Sequence, residues 1–171
     1  MKNQLLIFLL FFVFSSCGYK NQKKDEKSEL SNNISKETYY DKEVRETFKK
    51  IREALNVNDT ITYNECAAFL ELHHFKEDLF FYALQMANKN NYPEAYFHVY
   101  TSIAYSTPKD AKEALALMSK KTRNMAIYHL LKSFEMGYDR AKYLIEDILG
   151  KEGLFISSDV YFKEWMKQYS Q

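Results

Sequence analysis

Apolar positions recur with a helical period along nearly the whole chain from residue 35 onward. Tyr40, Val44, Phe48, Ile51 and Leu55 share one helical face, with Lys49, Lys50, Arg52 and Glu53 largely off it, so an amphipathic first helix is predicted. Thr62-x-x-Glu65 has the form of a capping box, and Cys66, Phe69, Leu70 and His73 follow at helical spacing. In residues 78–103, Leu79, Phe80, Phe81, Leu84 and Met86 make a helix apolar on nearly every side, as expected of a central one. Asn90-Asn91 should end it, and Pro93 suits the first turn of the next. Thr107-Pro108-Lys109-Asp110 then predicts a further start, with Thr107 as cap and Ala111, Ala114, Leu115 and Met118 as the apolar face.

Residues 126–153 carry the clearest pattern. Ile127, Leu130, Leu131 and Phe134 form one buried face, and Leu144, Ile145, Ile148 and Leu149 form a second. Gly137 can take the left-handed conformation that ends a helix, and Asp139 can cap the next, so the two are antiparallel neighbours joined by a short turn. Residues 78–103 look like a degenerate earlier copy. Ala95 falls on Ala141 and Ala87 on Ser133, since 141 − 95 and 133 − 87 are both 46. Tyr82 then meets Tyr128, Tyr92 meets Tyr138, and Asn91, the next best residue for a left-handed turn, replaces Gly137. The helix after residue 107 stretches the spacing, either as an elaborated loop or as half of a further pair. Ser157 or Ser158 can cap a last helix bearing Tyr161, Phe162, Trp165, Met166 and Tyr169, which would cover the open end of the array.

The order of residue types in residues 126–153 resembles the Sel-one-like repeat, a short relative of the tetratricopeptide repeat. The matching positions are Ala126, Lys132, Ser133, Glu135, Gly137, Ala141, Ile145 and Gly153, whereas Phe134 and Glu146 depart from the pattern. The resemblance implies an all-α fold of antiparallel hairpins, about seven to eight helices, stacked as a short right-handed α-solenoid. It implies an interaction role, because every matched position, Ala95 of the earlier copy included, is structural.

Composition agrees with helices. Only 4 Gly and 2 Pro occur in 171 residues, too few for a many-turned β sandwich.

The N-terminus adds a separate signal. Residues 1–16 hold one basic residue, Lys2, then an apolar run from Leu5 to Phe14, too short for a comfortable membrane span, and then Ser15 and Ser16 before Cys17. This reads as a secretory signal whose end resembles the bacterial lipobox, with Cys17 as the lipidated, palmitate-bearing residue and the mature N-terminus. Two or more acyl chains, at about 0.8 kcal/mol per buried CH₂, make a stable membrane anchor. Without residues 1–16 the chain has 24 − 1 = 23 basic residues against 23 acidic ones, so no net field favours nucleic acid. Residues 17–36 are polar and charged, and are expected to tether a helical domain spanning 37–171. Gly18 is not the Asp that resembles an inner-membrane retention signal, which favours the outer membrane; the leaflet stays open.

Candidate chemistry is sparse. A lone Cys66 among apolar residues reads as a core filler, and no base or oxyanion donor accompanies it. His73 and His74 are adjacent and diverge on a helix, and His98 and His129 are isolated, so no metal site is expected. No Gly-rich phosphate loop or paired catalytic carboxylates stand out, and neither an enzyme nor a cofactor is expected. Tyr96, Tyr100, Tyr128 and His129 are the candidate partner-contacting residues, because Tyr combines an apolar body with a polar tip; an aromatic stripe at helical spacing is more often core than contact. The expected function is an envelope lipoprotein presenting a helical-repeat domain to an unknown protein partner. The alternatives are an immunity-type inhibitor of a toxin or enzyme, and a small-ligand binder or envelope enzyme without a recognisable motif.

Overall fold

The computed structural model describes residues 26–104 and 110–169, with side chains from Tyr40 onward except at Gln168. Cys17, Thr107 and Pro108 lie outside the described residues. Among those described there are eight α-helices and two short 3-10 turns: α1 (Glu26–Val57), α2 (Thr60–Leu72), α3 (Lys76–Asn90), α4 (Pro93–Ala104), α5 (Ala111–Leu117), α6 (Lys120–Glu135), α7 (Ala141–Leu149), a 3-10 turn (Lys151–Phe155), α8 (Ser158–Met166) and a second 3-10 turn (Lys167–Tyr169). The chain divides into two units at Arg45 and Glu46, nine residues beyond the expected boundary. In the first unit the described residues are helical from Glu26. Residues 26–36, expected to be flexible tether, thus belong to α1. They contain neither Gly nor Pro, and extending a helix already nucleated by the segment after them costs little.

The second unit is built from left-handed turns. Asn58 (φ 56°), His74 (φ 65°) and Gly137 (φ 97°) follow the ends of α1, α2 and α6. At each, the next amide closes a six-residue ring onto the helix: Asp59 N–H donates to the Ala54 carbonyl at 2.9 Å, Phe75 to Leu70 at 2.8 Å and Tyr138 to Ser133 at 3.1 Å. These bonds satisfy carbonyls that the helix end would otherwise orphan. Asn91 (φ 51°) turns α3 into α4 in the same left-handed region. The expected equivalence of Asn91 and Gly137 therefore holds in the backbone, and the paired small residues agree: Ala87, Ser133, Ala95 and Ala141 are all fully buried. One copy was missed from sequence. Asn58 precedes Asn91 by 91 − 58 = 33 residues, and at that offset buried Ala54 falls on Ala87 and buried Tyr63 on Tyr96. The α1–α2 pair is a third hairpin of the same plan.

Lengthwise packing runs from α3 to α4, α4 to α6 and α6 to α8, with α7 against α6 and α5 against α4 and α7. Two apolar cores result. Ile51, Leu55, Tyr63, Leu70, Leu79 and Met86 centre the first, and Tyr100, Leu115, Leu130, Leu131 and Ile145 the second. Gly153 touches the second closely: a Cβ there would lie 2.5 Å from Leu149 Cβ and 3.0 Å from Ile145 Cγ2.

Three helix starts differ from expectation. Helix α2 begins ahead of Thr62, capped by Asp59, whose Oδ1 accepts from the Ile61 and Thr62 amides at 3.1 Å each while the Thr62 hydroxyl donates to Oδ2 at 2.7 Å. Asp is as good an N-cap as Thr and stands where the preceding turn delivers it. Asp110 is itself the cap of α5, accepting from the Glu113 amide at 2.8 Å. Arg140 is the N-terminal flank of α7, and Asp139 contributes its backbone carbonyl to the Lys142 amide. Ser157 caps α8 as expected.

Candidate functional site

The aromatic stripe is core. Tyr96, Tyr100 and His129 are 4 %, 0 % and 1 % exposed, which corrects their expected place on a contact face. Tyr128 alone is half-buried. Tyr100 belongs to the second core, and α8, which lies along α6, closes the aromatic cluster at its other end: Tyr128 is 5.2 Å from Phe162 and 6.0 Å from Trp165 between ring centroids, and His129 is 6.0 Å from Trp165. Tyr96 meets His129 from α4 at 5.9 Å. Glu135 fastens this closure, accepting from the Ser158 amide at 2.6 Å and the Ser158 hydroxyl at 2.7 Å. The last helix is therefore a cap on its inner side. Val160 and Met166 stay exposed on this helix and, with the partly exposed edge of Phe162, line a shallow depression together with Lys163, Glu164 and Lys167.

The most organised polar constellation lies between α2 and α4, and no motif pointed to it. Glu94, His98 and Thr101 sit at i, i+4 and i+7 along α4, one helical stripe, and each has a counterpart on or near α2. Glu94 Oε2 accepts from Asn64 Nδ2 at 2.7 Å and from the Tyr92 hydroxyl at 2.9 Å. His98 Nδ1 lies 3.1 Å from the Tyr63 hydroxyl, and the Thr101 hydroxyl donates to Glu71 Oε1 at 3.1 Å. Glu94 also reaches the later hairpin, where its Oε1 accepts from the Tyr138 hydroxyl at 2.9 Å. Tyr92 and Tyr138, the residues paired by the 46-residue offset, thus donate to the two oxygens of one carboxylate. A single side chain ties together α2, the α3–α4 turn and the α6–α7 turn.

Electrostatics follow from this geometry. Burial by itself would raise the Glu94 carboxyl, but the bonds from Tyr92 and Tyr138, nearby His98 and the Asn64 amide outweigh it and hold the group below the usual glutamate range. Burial, reinforced by Glu94, pushes Tyr138 up to about 12. Burial lowers His98, against the opposing pull of Glu71 and Glu94. The Cys66 thiol, packed in the first core, is raised by burial, which disfavours the reactive thiolate. His73 stacks on Phe69 at 4.2 Å, and His74 occupies the left-handed turn. Among the described residues no group of three or more His, Cys, Asp or Glu side chains is placed to hold a metal ion, and no helix is long and apolar enough to cross a membrane.

These features define an all-α protein of successive hairpins with a polar joint between them. No family model, curated protein or solved structure matches the chain.

Proposed function

We propose that this protein is a non-enzymatic bacterial envelope lipoprotein, lipidated on Cys17 and delivered to the outer membrane, whose helical domain binds another protein. In this reading the hairpins form a short right-handed solenoid of the Sel-one-like or tetratricopeptide-like kind. The observation that carries it is the recurrence of one hairpin plan, with left-handed residues at Asn58, Asn91 and Gly137 and buried small residues at Ala54, Ala87 and Ser133. Repetition of this sort extends a surface without building a catalytic pocket. With the aromatic stripe interior, the partner-facing surface moves to the exposed side of α8, where Val160 and Met166 flank a shallow depression. The anchor is supported by Ser15-Ser16-Cys17 at the end of the apolar run.

Two experiments test the two halves. Radiolabelled palmitate should enter the wild-type protein in growing cells and fail to enter Cys17→Ser; equal labelling of both would remove the anchor. Cross-linking in intact cells, followed by purification through the domain, should recover a specific protein that is lost with Val160→Ser/Met166→Ser. Recovery of no partner where control complexes are captured would count against the binding role.

A further inference from the structure

The three-rung polar seam between α2 and α4 has an unusual middle. Tyr63 is fully buried and His98 is 7 % exposed, so the rung between them lies out of reach of solvent, while the outer rungs at Glu94 and Glu71 are half-buried. The titratable groups facing His98 are Tyr63 and Glu71 from α2 and Glu94 from its own helix; Tyr92 and Tyr138 stand behind Glu94. A neutral imidazole can accept at Nδ1, which lets the buried Tyr63 hydroxyl donate there. A protonated imidazole donates from both nitrogens. The Tyr63 oxygen must then accept, and its own proton loses the partner it had in a buried site.

We propose that the α2–α4 seam is a proton-operated latch, closed while His98 is neutral and released by protonation of His98, so that α2 parts from α4. The two carboxylates do not prevent release. They attract the imidazolium, but burial outweighs them, so the charged ring gains by reaching water. Opening takes up one proton per molecule, and the open fraction therefore grows by up to about tenfold for each pH unit below about 6.5, until His98 protonates in the closed form as well. Opening withdraws Tyr63, Ala67 and Leu70 from the first core, while α4 keeps its packing on α3 and α6, so the second core is left in place. The latch does not depend on lipidation or on any partner.

Hydrogen exchange on the full-length protein tests this, with rates corrected for the intrinsic pH dependence of exchange. His129→Leu serves as background, since it removes the other buried histidine. Between about pH 7.5 and about pH 5.5 the protection of α2 amides should fall, by up to about tenfold, while α6 to α8 stay nearly constant. Adding His98→Gln should make α2 insensitive to pH, and adding Tyr63→Phe should loosen α2 already at neutral pH. Should His98→Gln not fold, the His98 ring can be titrated by NMR in the background protein, where it should stay neutral in the closed form below about pH 6.5 while α2 protection already falls. A pH-independent α2, a pH effect that survives His98→Gln, or a His98 ring that titrates at its ordinary value in the closed protein would each overturn the latch.

Discussion

Replacing His129 with Leu should flatten the acid sensitivity of global stability. His129 is 1 % exposed in α6, between the rings of Tyr96, Tyr128 and Trp165. Its Nδ1 lies 2.8 Å from the Met125 carbonyl, which can only accept, so Nδ1 carries the proton and Nε2 is the nitrogen left to titrate. Burial lowers this imidazole from 6.5 to about 4, against the smaller opposing effect of the Met125 carbonyl. The folded-state value is depressed, so the stabilising contribution is complete above about pH 6.5 and is lost as pH falls toward about 4, because the unfolded chain takes up the proton first. From about pH 7.5 to about pH 5 this linkage removes roughly 2 kcal/mol, and roughly 3 kcal/mol once the folded form also protonates. Urea unfolding of wild type and His129→Leu at both pH values isolates the effect, since every other titrating group is common to the two proteins. Wild type should lose about 2 kcal/mol more than the variant over the interval. Equal losses would refute the reasoning, as would a His129 ring that titrates near its ordinary value in the folded protein.

Ser133 is fully buried and its hydroxyl has no partner among the described residues, so Ser133→Ala should raise stability by about 1 kcal/mol in urea unfolding. Gly137→Ala and Gly153→Ala should separate backbone strain from crowding. A Cβ at Gly137 meets nothing within 4 Å and costs only the left-handed penalty, about 1 kcal/mol, whereas at Gly153 it collides with Leu149 and Ile145 and should cost about 2 kcal/mol or more, read as the larger drop in unfolding midpoint. Glu135→Ala removes both acceptors for Ser158 and should destabilise by about 1 kcal/mol, with amide exchange accelerated in α8 before α3 or α4.

Helical period, glycine and small residues made the later hairpins legible, because those signals are local. Asn91 is readable as a left-handed turn since few residue types adopt one cheaply, and Ala95 and Ala141 as a buried pair since nothing larger fits a close crossing. The same reasoning overlooked Asn58, whose turn lies 33 residues before Asn91 instead of 46, and it had no means to suspect His74, a residue type seldom found at positive φ. Burial of the aromatic stripe was illegible for a different reason. Tyr96, Tyr100 and His129 have the same helical spacing whether or not another helix covers them, and that cover comes from distant segments: α6 for Tyr96, the second core for Tyr100 and α8 for His129. The polar seam is harder still. Glu94, His98 and Thr101 form a stripe that reads in isolation as a solvated face, and it gains meaning only when Tyr63, Asn64 and Glu71 arrive opposite it. Periodicity tells which residues share a face of one helix. What lies across from that face is tertiary information, and in this protein the buried histidines, the Glu94 joint and the outward side of α8 all depend on it.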